Sequence, residues 1–315
     1  MPMAAGQIHE SLYSFIARFM YPYINIGPLH LGTFGLLLWL AAVAGTVVLH
    51  RNFVRHGIAA DSLNIVAVVV VAGVAGAKLW HELQDIQELR TALQMIGQPG
   101  WHHPLDVMMG FFRWFQNGFA WFGGMVAGIL ALMAQGRNAR FKGPGWKSFD
   151  EPGPSLGSPV GPIRMLDLAA PAAALGYGVG RIGCLLAGDG DYGVNTTLPW
   201  GVHMAKNALV PPTPPDALVQ PTPIYELLFS LMLFWLLWTL AKKARPVGWL
   251  TGVYLACAGI GRFLVEFVRV NPRIYFHHTL SNAQIAAAIT TLAGLALIMA
   301  AQSKRVEWAP RLVAD

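Results

Sequence analysis

Four charged side chains, Arg181, Glu226, Arg262 and Glu266, interrupt or border long apolar runs of this chain. A charge at the centre of a membrane helix costs about 2.5–3.5 kcal/mol on insertion scales, so such residues line internal polar cavities rather than face lipid. Their spacing adds to this. Tyr177, Arg181 and Cys184 fall at i, i+4 and i+7 and share one helix face, while Arg262, Glu266 and Arg269 share a second. Two arginines beside one cavity fit an anion, because the guanidinium is always charged and its planar fork matches phosphate bidentately. At membrane depth the natural anion is a phospholipid headgroup. The plainer reading of Arg262 and Glu266 is a self-neutralising i,i+4 pair. Arg181 has no carboxylate at helical spacing, which makes it the stronger ligand candidate.

The elements that position these residues follow from composition. With 55% hydrophobic and 12% charged residues in 315, the chain is too apolar for a soluble domain. Apolar runs near the bilayer-spanning length occur at about 32–49, 62–80, 119–135, 166–187, 224–241, 247–267 and 281–301. The expectation is an all-α polytopic membrane protein of seven transmembrane helices forming one domain over residues 1–315, without internal repeat. The third run is short, and the first 30 residues, which lack a signal-peptide pattern, have room for a short re-entrant segment. Thirteen Lys and Arg fall on one set of alternating loops against six on the other. That asymmetry puts the N-terminus outside and the C-terminus in the cytoplasm, and it explains the net charge of +6 without nucleic acid. Cys184 and Cys257 both lie inside apolar runs, which argues against a disulfide framework.

Three loops are long enough to carry structure. The Gly- and Pro-rich cytoplasmic loop 136–165 reads as a flexible connector touching anionic lipid headgroups. The outer loop 81–118 has amphipathic spacing and aromatic residues that suit a helix in the membrane interface. The outer loop 188–223, with seven prolines, reads as irregular, stiff and able to cap a cavity. Lys78, Arg181, Tyr225, Glu226, Arg262 and Glu266 all approach the outer side, which places a site in the outer leaflet. Gly123 and Gly124 in FGGMVAG, and the glycines around Arg181, sit where helices or lipid must approach closely. The run GDGDYG at 188–193 fits no EF-hand spacing, so no metal site is expected there.

Five ordered pieces of the chain resemble the prolipoprotein diacylglyceryl transferase family. They are NIGPLHLGTFGLLLWL at 25–40, FGGMVAG at 122–128, DLAAPAAALGYGVGRIGCLLAGDGDYG at 167–193, PTPIYELL at 221–228 and GIGRFLVEFVRVNP at 259–272. The resemblance implies a seven-helix bundle of the bacterial inner membrane. It also implies transfer of a diacylglyceryl group from phosphatidylglycerol to the lipobox cysteine thiol near the signal peptide of a prolipoprotein, with glycerol phosphate released. Arg181 matches the signature arginine, Arg262 the arginine of the sixth helix and Glu266 the acidic residue one turn on. Their implied role is to hold the phosphate and stabilise the charge on it as it leaves. Tyr177, Cys184, Gly123, Gly124, Tyr225, Glu226 and Arg269 are the expected substrate-binding residues, and no cofactor is implied.

The chain departs from the family pattern where protons are handled. Phe122 stands where the family has a histidine before the paired glycines, Cys184 replaces an asparagine, Asp189 replaces a glutamate, and Phe34 and Ala258 replace tyrosines. A phenyl ring takes no proton. Asp189, Asp191, Tyr192 and His203 are the candidates for a replacement base, with Asp189 entered among the catalytic residues. The alternatives are a paralogous lipid transferase with a different acceptor, and a non-catalytic phospholipid-binding subunit.

Overall fold

The structure is a computed structural model that describes residues 22–27, 29–97, 103–116, 120–141, 157–204, 208–214, 216–243 and 245–303. The re-entrant segment expected within 1–30 falls mainly on residues outside this set, and so does the middle of the connector expected at 136–165. A short hairpin, β1 (Tyr23–Ile26) and β2 (Leu29–Gly32), leads into α1 (Thr33–Arg55). Then come β3 (Ile58–Ala59), α2 (Ser62–Gln84), α3 (Ile86–Gly97), α4 (Pro104–Gln116), α5 (Trp121–Asn138), β4 (Arg140–Phe141) and α6 (Pro162–Ala187). The chain continues through β5 (Val202–His203), β6 (Leu218–Val219), α7 (Thr222–Leu240) and α8 (Trp249–Val265). It ends in a 3-10 turn (Glu266–Val268), β7 (Arg273–Tyr275), β8 (Leu280–Ser281) and α9 (Asn282–Ser303).

Among the described residues, six helical stretches are long and apolar enough to cross a membrane: Thr33–Arg55, Ser62–Gln84, Pro162–Ala187, Thr222–Leu240, Trp249–Val268 and Asn282–Ser303. The chain is therefore an all-α polytopic membrane protein. The third expected run forms α5, which is not among the six because its 18 residues end in the polar turn Gln135–Asn138.

The central element is α6, which packs on α1, α5, α7 and α8 and has half of its apolar window buried, more than any other span. Its alanines and glycines admit this close approach from several sides. Pro162 starts it at a position where a missing N–H costs nothing. Pro171 lies in its interior, and just before it the buried Asn52 of α1 donates to the Leu168 carbonyl at 2.8 Å. Asp167 caps the next helix but one. Its buried carboxylate accepts from Gly248 N (2.6 Å), Thr251 N (2.8 Å) and Thr251 Oγ1 (2.6 Å), satisfying orphan amides at the start of α8.

Helices α2 and α5 meet backbone to backbone at Gly76 and Gly123. A Cβ on Gly123 would run into the Gly76 carbonyl and Trp80, and a Cβ on Gly76 into Ala127 and the Gly123 carbonyl. Below this contact, β3 pairs with β4, so the ends of the connector at 136–165 are ordered rather than flexible where they are described. The segment expected as one interfacial helix is two amphipathic helices, α3, with Ile86 and Leu93 exposed, and α4, with Leu105, Met108, Phe111 and Phe112 exposed.

Candidate active site

Four chain segments deliver charge to one end of the bundle: the C-terminal half of α6, the N-terminal part of α7, the end of α8 with its 3-10 turn, and the loop after α6. Glu226 is the hub. Its side chain is only 4% exposed, and it lies 3.3 Å from Arg181 Nε, 3.4 Å from Arg262 Nη1 and 3.4 Å from Arg269 Nη1. The Tyr177 hydroxyl donates to Glu226 Oε1 at 2.7 Å, and the Arg181 guanidinium lies over the Tyr177 ring, 4.7 Å from its centre. The i,i+4 spacing of Tyr177 and Arg181 therefore brings both to Glu226 from one face of α6.

Glu266 is the second buried carboxylate. It lies 2.9 Å from Arg262 Nη2, and its Oε1 accepts from Asn271 Nδ2 (2.7 Å) and Ser281 Oγ (2.8 Å). The i,i+4 pair expected from spacing is present, but it is tied into the larger network rather than closed on itself. Arg269 does not continue the helix. The chain tightens into the 3-10 turn after Val265 and becomes extended at Arg269, which sends the guanidinium back to Glu226 and Asp191.

Asp191 closes the cluster from the loop. One carboxylate oxygen pairs with Arg181 Nη1 and the other with Arg269 Nη2. Arg181, which lacks a carboxylate at helical spacing, thus finds Asp191 and Glu226 through tertiary structure. Burial works against a charge on Asp191, yet the Arg269 and Arg181 guanidiniums outweigh it and hold the carboxyl below its ordinary range. Its neighbour Asp189 is pushed up, first by burial and then by the charge of Asp191. The Cys184 sulfur lies 3.7 Å from Arg181 Nη1, and ligand atoms of Cys184, Asp189 and Asp191 fall within 4.8 Å of one another. That trio has the ligand types of a metal site, but both oxygens of Asp191 are already engaged by arginines.

Several expected site residues lie elsewhere. Tyr225 turns away from the arginines, donating to Gln220 Oε1 at 2.6 Å and accepting from Trp200 Nε1 at 2.7 Å, so it braces the loop. Gly123 and Gly124 serve the α2–α5 contact described above, not the charge cluster. Lys78 does not end its helix beside the arginines. It is buried within α2, 2.8 Å from Glu82 and bonded to the Trp114 carbonyl at 2.7 Å, and so fastens α4 to α2. Among the candidate bases, Tyr192 donates to the Pro211 carbonyl at 3.0 Å and His203 bonds the Asp216 carbonyl at 2.7 Å, which leaves Asp189 and Asp191 facing the cluster. Phe122 is half exposed and packs edge-on against Trp121, whereas Phe34 touches α6 at Gly183, beside Cys184. Thr222, Asn271 and Ser281 were not foreseen. Asn271 lies within the GIGRFLVEFVRVNP piece, but Ser281 carries no local signal at all.

These features define a multi-pass helical membrane protein built around a buried arginine–carboxylate cluster at one end of its bundle. The chain matches the family model for prolipoprotein diacylglyceryl transferase over residues 22–300 and belongs to that family. It is 28% identical to a phosphatidylglycerol–prolipoprotein diacylglyceryl transferase of Clostridium tetani, over 83% of this chain and 90% of the relative. A second enzyme so named, from Clostridium perfringens, is 30% identical over 76% of this chain and 80% of its own length. One from Bordetella avium is 29% identical over 78% and 80%.

Proposed function

We propose that this protein transfers the diacylglyceryl group of phosphatidylglycerol to the lipobox cysteine thiol of a prolipoprotein, a step of lipoprotein biosynthesis at the bacterial inner membrane. The observation that carries the reading is the convergence of Arg181, Arg262 and Arg269 on one buried carboxylate, Glu226. Glu226 and Glu266 hold the three forks in a fixed arrangement, so little reorganisation is needed when a phosphate arrives. The acceptor sulfur attacks the glyceryl carbon of the donor, an S–C bond forms and the C–O bond to phosphate breaks. The electron pair leaves on the phosphate oxygen, where the guanidiniums compensate it, and glycerol phosphate departs.

The proton of the acceptor thiol goes to Asp189. This carboxylate stands beside the cluster, its affinity for a proton is raised by its surroundings, and Phe122 has none to offer. Tyr177, Cys184 and Arg269 line the same pocket of charge and complete the substrate-binding set. We assign α5 as a seventh span, which gives an N-terminus outside, a C-terminus in the cytoplasm and a cluster in the outer leaflet, where phosphatidylglycerol and exported precursor both reach it. Residues 1–315 then form one membrane-embedded domain.

The test is transfer of labelled diacylglyceryl from phosphatidylglycerol to a lipobox peptide by the purified protein in lipid. Arg181→Ala and Arg262→Ala are expected to lose at least about a hundredfold in turnover, the scale of removing one electrostatic stabiliser, while still inserting. Full activity in both variants would sink the phosphate-site reading. A second reading, a paralogue serving another acceptor, is favoured by Phe122 and by the GDGDYG run at 188–193. A new lipid product without any peptide would support it.

A further inference from the structure

The cluster contains one carboxylate that differs from the others in origin and exposure. Glu226 and Glu266 are 4% and 1% exposed at their side chains and grip the arginines from inside the bundle. Asp191 is 27% exposed, comes from the loop after α6, and lies across the outer tips of two forks, one oxygen on Arg181 and the other on Arg269. Two oxygens of one anion bridging two guanidiniums is the arrangement a phosphate would adopt. We propose that Asp191 occupies the seat of the donor's phosphate in the resting protein, so that headgroup binding exchanges one anion for another and the returning carboxylate expels glycerol phosphate. This rests on the transferase reading above.

Three observations support an exchange. A phosphodiester carries one negative charge, as Asp191 does, so the swap leaves the balance among three arginines and three carboxylates unchanged. Only the outward carboxylate suits this role, because moving Glu226 or Glu266 would strand a charge inside the bundle. The backbone of Asp191 is also pinned. Its carbonyl accepts from Thr222 Oγ1 at 2.6 Å, its amide donates to Asp189 Oδ1 at 3.2 Å, and Gly193 N donates to the Gln220 carbonyl at 2.8 Å. A side-chain rotation therefore suffices to vacate the seat, and the tethered carboxylate stays close enough to compete. The competition matters most after transfer. A phosphate monoester carries up to two charges near neutral pH and would hold three arginines harder than the diester did.

The experiment is binding of sn-glycerol phosphate to the full-length protein in zwitterionic nanodiscs, by calorimetry, for wild type, Asp191→Asn and Arg181→Ala. Asp191→Asn is expected to bind about ten- to a hundredfold more tightly than wild type, the range for losing a charge-assisted competitor. It should also show a burst of transfer followed by slow turnover. Equal or weaker binding by Asp191→Asn, with wild type and not Arg181→Ala still binding, overturns the exchange while leaving the phosphate site standing. No binding by wild type or Asp191→Asn overturns the site itself. Should Asp191→Asn fail to fold, carbodiimide labelling of wild-type Asp191 decides: glycerol phosphate is expected to speed its modification several-fold, and unchanged or slowed labelling refutes the proposal.

Discussion

Replacing Glu226 by glutamine tests the hub directly. The change keeps shape and removes one charge, leaving Arg181, Arg262 and Arg269 facing only Asp191 and Glu266. Each guanidinium lies 3.3 or 3.4 Å from the Glu226 oxygens. At an effective dielectric near 20, one such contact is worth about 5 kcal/mol before the carboxylate's own desolvation is subtracted. Breaking a fully buried ion pair by removing one partner costs about 3–5 kcal/mol net. Arg262 and Arg181 are 27% and 17% exposed, so water screens part of the loss and the low end of that range applies. For 315 residues, about 3 kcal/mol corresponds to a fall of roughly 5 °C in the unfolding midpoint. Turnover should fall about a hundredfold, since the forks lose the group that aligns them. The measurements are thermal unfolding in lipid nanodiscs and the labelled-transfer assay on the same preparation. A midpoint within about 1 °C of wild type together with normal turnover would refute the hub argument, since both effects rest on the same contacts.

Gly123→Val should push α2 from α5 at Gly76, lowering the unfolding midpoint and the yield of folded protein; an unchanged midpoint would mean that the two helices separate freely. Asp167→Ala removes the acceptor for two α8 amides and one hydroxyl, and should cost about 2 kcal/mol, read in the same unfolding assay with transfer kinetics per folded molecule unchanged. His56 is 1% exposed, and burial pushes its imidazole down from 6.5 to about 4. The unfolded chain then binds more protons than the folded one between those values, so stability present above pH 6.5 should fall by about 3 kcal/mol as pH drops to 4. His56→Gln should flatten that slope in unfolding scans at stepped pH, and an unaltered slope would assign it to other groups.

The lengths of the apolar runs were enough to locate the helices, because a membrane span must satisfy its own backbone and so needs an unbroken stretch of apolar residues. The local periodicity of α6 was enough to place Tyr177 and Arg181 together, and the rarity of charge in those runs was enough to mark Glu226, Arg262 and Glu266. Helical spacing says which residues share a face, but not which faces meet or which way a loop folds back. Asp191 reaches Arg181 only because Thr222 pins its peptide and Gly193 pairs with Gln220 across some thirty residues of loop. Tyr225 adjoins Glu226 in sequence yet points to Trp200, since successive residues on a helix diverge by about 100°. Gly123 and Gly124 carry the same pattern whether lipid or another helix lies against them, and only the approach of Gly76 to the first and Gly73 to the second assigns them to packing. Lys78 likewise looks like a border charge until the Trp114 carbonyl, brought back by α4, accepts a hydrogen bond from its ammonium. Run length and charge placement along the chain were sufficient for the long apolar helices and for marking the arginines that meet at Glu226. The partners that hold those arginines in place depend on contacts between distant segments, which no local pattern encodes.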